Sequence, residues 1–166
     1  MKILKRLLTD LLDRVFKRTV VLTNVCVIKY DEANSLGRVY KRGCVDIDDL
    51  NAKIKAGKLI GQMDSGSRFG YEGMIDLNKA SLIVTGACND DSELKICLKT
   101  LKTNEGRVLA QFIKDQTVVF RPACIGNMNA DGTIDSAKIV AINAVIAFNP
   151  ASSKMKEPPF LWSHMS

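Results

Sequence analysis

The chain reads as an α+β domain in which a mostly antiparallel, barrel-like sheet carries a few short helices. Three observations point there. β-Branched and apolar runs of strand length recur between turn signals, only short stretches keep helical spacing inside the body of the chain, and one late run is apolar on both faces. At 166 residues it is one domain's worth of chain, long enough to bury roughly two-thirds of the surface its unfolded state exposes.

Residues 2–17 place Ile3, Leu4, Leu7, Leu8, Leu11, Leu12, Val15 and Phe16 at i, i+3, i+4, i+7 spacing, with charges opposite. This predicts an amphipathic helical arm over 1–18. Its apolar face packs on its own domain, docks on a partner protein or lies on a membrane surface.

The globular part is expected over 19–149. Thr19 to Lys29 is rich in β-branched residues and predicts a strand, and Asp31 to Gly37 a polar loop. Asp46 or Asp48 can cap a short helix running to Lys55, with Gly57 just beyond its end. Lys58 to Met63 predicts a brief strand, and Asp64 to Gly73 a glycine-rich excursion of the length that is usually functional or mobile. Met74 to Thr85 alternates in part, and Cys88 to Ser92 reads as a turn.

Leu94 to Leu101 predicts a strand, Thr103 or Asn104 opens a helix to about Lys114, and Thr117 to Ile125 predicts the next strand. Asn129-Ala130-Asp131-Gly132-Thr133 is the clearest hairpin signal in the chain. In the return strand, Lys138 to Phe148, both faces are largely apolar, as expected for a strand buried on both sides. From 150 to 166 periodicity is lost, and Pro158-Pro159 precedes the large apolar trio Phe160, Leu161 and Trp162. That end is either disordered or an extended arm burying the trio on a neighbour.

Composition narrows the function. The net charge is +6. The first 18 residues contribute +4 of it and residues 150–166 another +1, leaving +1 on the body. Basicity at the ends gives no case for specific nucleic-acid binding, although a nucleic-acid or membrane-surface binder using the basic N-terminal helix remains an alternative. No apolar run approaches the roughly 20 residues of a transmembrane helix, and the N-terminus lacks a secretory cleavage pattern. The five cysteines form no C-x-x-C pair and the chain has one histidine, so no metal and no cofactor is expected. Reduced thiols used as small apolar side chains in a cytosol-like compartment fit the pattern better.

Several strings, in order, resemble the prohead (capsid maturation) protease family of tailed phages, which shares the herpesvirus assemblin fold. Asn34-Ser35-Leu36-Gly37-Arg38-Val39-Tyr40 looks like its N-x-x-G-R-x-Y segment. Lys58 to Asp64 looks like the strand ending in G-E-x-D/N-H, and Ile75-Asp76 through Ile83 like the strand after the active-site loop. Thr103 to Leu109 is similar to T-x-x-G-x-x-L, and Val145 to Pro150 to the closing strand. The likeness covers roughly 27–152.

The resemblance implies a serine nucleophile with a histidine base, and this chain departs from it at both. Ser65 stands where the histidine would be. Arg121-Pro122-Ala123-Cys124-Ile125-Gly126 stands where S-S-R-G-x-G would be, with only the last glycine matching directly. A serine hydroxyl is a weak nucleophile without a base near neutral pKa, and losing one member of such a unit costs factors of roughly 10⁴ to 10⁶. Pairing Cys124 with His164 would put the base on an arm with no orienting group, and Asp64 is too weak a base to activate Ser65 or Ser67.

The expectation is therefore a catalytically silent relative: a phage virion structural or assembly protein, capsid-decorating, minor capsid or scaffold-associated, in the virion and in host cytoplasm during assembly. It would bind segments of major capsid or other virion proteins, through Leu4, Leu8, Leu11, Phe16, Phe160, Leu161 and Trp162, with homo-oligomers admitted. An active maturation protease with an unusual nucleophile is the alternative.

Overall fold

The computed structural model describes residues 19–34, 36–64, 76–114, 118–146 and 161–162. The helix expected over 1–18, the body of the 64–73 excursion and most of the arm from 150 lie outside them. Eight strands form one curled, half-barrel sheet in the order β1-β5-β4-β3-β7-β6-β8, with β2 on the side of β7. They are β1 (Val21–Lys29), β2 (Val39–Tyr40), β3 (Ile60–Asp64), β4 (Ala80–Asn89), β5 (Glu93–Thr100), β6 (Val118–Met128), β7 (Thr133–Ile146) and β8 (Leu161–Trp162). Among the described residues two α-helices, α1 (Ile47–Lys55) and α2 (Asn104–Lys114), accompany the sheet in an α+β arrangement.

The curl comes from β3. Its first residues, Ile60 to Gln62, pair antiparallel with β4, and its last two, Met63 and Asp64, pair parallel with β7. No side chain fits at the changeover: a Cβ on Gly61 would fall far inside contact distance of the Ile142 carbonyl oxygen. Glycine is thus required there by close approach of two backbones.

β7 is the spine, and it is buried on both faces as its sequence predicts. Ile139, Ala141, Ile142, Ala144 and Val145 are all buried. It carries two extra residues relative to β6, which skips from Ile139 to Ala141 and from Ile134 to Ser136 in its pairing. The first of these bulges exposes the Ile139 carbonyl, and Lys53 of α1 donates to it at 3.0 Å while pairing with Asp49. A bulge unpairs backbone groups, and a lysine anchored on a helix satisfies one of them.

Local signals place most elements. Asp46 caps α1 by accepting from the Asp49 N–H, and Gly57 takes φ +65° after it. The β6–β7 hairpin closes with Gly132 at φ +85° and Asp131 accepting from the Thr133 N–H. Where α2 starts, Thr103 Oγ1 accepts from the Gly106 N–H at 3.0 Å and donates to the Ala80 carbonyl at 2.8 Å, tying the helix to β4. The core gathers Leu50 of α1, Leu109 of α2, and Leu82, Leu94, Leu98, Ile139 and Ile142 of the sheet.

Three expectations need correction. Cys88 and Asn89 continue β4, because both stay in register with β5, so the turn is only Asp90 to Ser92. The alternating stretch 74–85 contributes a 3-10 turn at Leu77–Lys79 before β4 begins at Ala80. Leu161–Trp162 is a strand on β6 of its own domain, where the sequence offered only disorder or a neighbour.

Candidate functional site

The sheet sets the end of the Lys58–Asp64 string and the start of the Arg121–Gly126 string on either side of β7. Asp64, the last residue of β3, is in register with Val145 of β7, and Val145 with Val119 of β6. Ser65, which follows Asp64, lies outside the described residues. The end of β3 and the Val119–Arg121 part of β6 therefore flank β7, roughly two strand spacings or about 10 Å apart.

Arg121 faces Asn143 directly across the β6–β7 ladder. Asn143 is 8% exposed, and its Oδ1 has no hydrogen-bond partner among the described residues. Partner residues in a ladder project to the same face, so Arg121 and Asn143 lie on one face of the sheet. A guanidinium offers only donors and an amide is not a general base, so neither side chain is suited to take a proton from a hydroxyl. Pro122 has no side-chain heteroatom at all. The half-buried Pro122 does mark something the sequence reading passed over. It sits in register with Ile142, inside a strand. Proline is tolerated in sheets almost only at edges or bulges, so its presence predicts that this stretch of β6 is a sheet edge.

The edge opens onto a groove. Between the end of β1 and the start of β6 is a cavity of about 340 Å³, lined by Cys26 to Lys29, Glu32 to Asn34, Tyr40, and Val119 to Pro122. Among the described strands, only β7 pairs with β6 over Val118 to Cys124, which leaves the other edge of β6 without a strand there, and β1 pairs only with β5. The two edges differ. β1 carries two extra residues in its ladder and a left-handed Asn24, which twist its edge away from pairing. The β6 edge is regular, and its Val119 is 47% exposed. An apolar floor with Lys29, Glu32 and Arg121 at the rim suits a chain segment with large apolar side chains.

Burial governs the thiols that lie near this end of the sheet. Cys124 is 3% exposed, packed in the core with Phe120 and Ile139. Burial pushes the Cys44 thiol up to about 11 and the Tyr30 hydroxyl up to about 12. Cys26, which lines the groove, is also raised, by partial burial and then by Glu93. Each shift holds the group in its protonated, weakly nucleophilic form. In the native protein, thiol reagents should therefore modify Cys26 and Cys88 and spare Cys44 and Cys124 until denaturant is added. The Cys26 rate should still be climbing above pH 9, because its thiolate forms later than that of a free cysteine. Mass spectrometry of labelled peptides reads both, and modification of Cys124 in the folded state would contradict its burial.

Among the described residues no group of three or more His, Cys, Asp or Glu side chains could hold a metal ion. No described helix is long and apolar enough to cross a membrane. Of the residues expected to meet partners, Leu4, Leu8, Leu11, Phe16 and Phe160 fall outside the described residues, as does His164.

No family model matches the chain, and no curated protein matches it. Among solved structures it is similar to the capsid assembly protease of bacteriophage T4, with a TM-score of 0.56 and 13% identity, over 77% of this chain and 97% of that one. At that identity the likeness is one of fold, and it agrees with the prohead protease-like architecture expected from the motifs.

Proposed function

We propose that the chain is a phage assembly protein that has kept a prohead protease-like fold for binding and does not cut. Its groove between β1 and β6 would hold extended segments of capsid or scaffold proteins, in the host cytoplasm during assembly and then in the particle. One juxtaposition supports this most directly. The fold is similar to that of a capsid assembly protease, and on the strand where the family resemblance would put the nucleophile stand Arg121 and Pro122, beside a groove of about 340 Å³. A protease must hold its substrate extended before cutting it, so a fold stripped of its proton-transfer pair retains the holding and loses the turnover.

The groove walls support a peptide more than a small metabolite, because both are strand ends with an apolar floor and charges confined to the rim. A photo-crosslinking amino acid placed at Val119, with the protein incubated with procapsid proteins, tests the assignment. Crosslinks to an extended capsid or scaffold segment are expected. Crosslinks spread evenly over folded surfaces, or none, would count against it.

A further inference from the structure

We propose that Asn143 is the specificity residue of the groove and selects, in the segment held there, a long neutral side chain with a hydrogen-bond donor, glutamine or tyrosine. The proposal rests on the groove's holding extended segments and adds the residue of this chain that chooses among them.

Asn143 is the exception on β7. Ala141 and Val145, which share its face, are apolar and buried, and so are Ile142 and Ala144 on the other face. Asn143 is buried with them, yet its Oδ1 meets no donor among the described residues. A buried acceptor left unpaired bears the full desolvation of that group, and an apolar side chain at the same place would avoid it. A strand that otherwise excludes polar side chains keeps one here, where a ligand can supply the hydrogen bond that the fold does not.

The surroundings define the donor. Arg121 lines the groove and stands opposite Asn143 in the β6–β7 ladder, so the amide lies one strand inward from the groove wall. An acceptor calls for an N–H or O–H, which excludes a carboxylate. The guanidinium on the same face disfavours a lysine or arginine, because like charges repel strongly where water is scarce. A segment lying along the open β6 edge is two strand spacings, about 10 Å, from β7, which calls for a long side chain. A buried acceptor then rejects segments lacking the donor more sharply than an apolar pocket rejects a wrong shape.

The test compares the full-length chain with its Asn143→Leu variant on a library of synthetic octapeptides randomised at every position. The unmodified protein should enrich glutamine or tyrosine at one position at least several-fold, and Asn143→Leu should retain peptides but lose that preference. Because the amide is unpaired in the free protein, the variant should also melt roughly 2–4 °C higher. If leucine is too large for the site, Asn143→Val carries both readings. The same preference with and without the amide, or enrichment of charged or purely apolar residues alone, would overturn the proposal and leave the groove a peptide site. A lower melting temperature in both variants would overturn it too, by showing the amide already paired in the free protein. Retention of no peptide by the unmodified protein would refute the groove reading itself, and this proposal with it.

Discussion

Replacing Gly61 with alanine is expected to lower the melting temperature by about 10 °C or more. The added Cβ would collide with the Ile142 backbone and lie 2.9 Å from Leu82 Cδ1. A flexible side chain can swing aside, but a β7 carbonyl cannot move without shifting the ladder on both its sides. Overpacking of a close-packed interior typically costs about 1–3 kcal/mol, and a clash against backbone belongs at or above the top of that range. At roughly 2–4 °C per kcal/mol for a chain of this size, the shift is easily measured by circular dichroism. Gly57→Ala serves as the comparison. Its φ of +65° makes it mildly strained, but nothing lies within 4 Å of its Cβ position, so about 1 kcal/mol is expected. Equal melting temperatures for the two variants would show that β3 does not cross to β7 as described.

Leu109→Ala should be nearly as damaging, for the opposite reason. Leu109 is 0% exposed and is the deepest side chain of α2 in the core. Removing it leaves a cavity, and large-to-small changes at such sites cost about 2–5 kcal/mol. Val108, its neighbour on the outer face, is 47% exposed, and Val108→Ala should change stability by less than about 0.5 kcal/mol. Urea denaturation of the pair reads the difference directly. A similar midpoint for both would mean that α2 is not held to the sheet through Leu109.

These two residues also show what the family-like strings encode. Gly61 lies in the Lys58–Asp64 string and permits backbone contact. In Thr103 to Leu109, Thr103 caps the helix, a Cβ on Gly106 would strike the Leu101 backbone, and Leu109 fills the core. In Asn34 to Tyr40, Asn34 Oδ1 accepts from the N–H groups of Leu36 and Arg38, Gly37 takes φ +74°, and Tyr40 is buried. The residues of these strings that the structure describes build the fold, so the likeness in the strings is a likeness of architecture.

Much of the fold was legible because its signals are local. Asp46 and Gly57 bracket α1, Asn129 to Thr133 closes the hairpin, and β7 announces its double burial by apolar residues on both faces. The order of strands was not legible, since periodicity says which face is buried and nothing about which strand lies alongside. The two-residue β2 and β8 are too short to show any period. The bulges of β7 also escaped, because an extra residue leaves no mark in a run that is apolar on both sides. Of the candidate site, only the residue types at Ser65 and Arg121-Pro122 were readable from the sequence. The groove was not, because it depends on β1 and β6 meeting across almost a hundred residues of chain, although Pro122 inside a strand was the available hint of an open edge.

Holding without cutting can be measured in one experiment. Purified full-length protein is incubated with the proteins of an immature phage head at neutral pH, and the mixture is followed over hours by mass spectrometry of all peptides. Stable association with every partner left intact is expected, and Cys124→Ala should change nothing. Specific new termini in a capsid or scaffold protein, or in the chain itself, that vanish on Cys124→Ala would contradict the account.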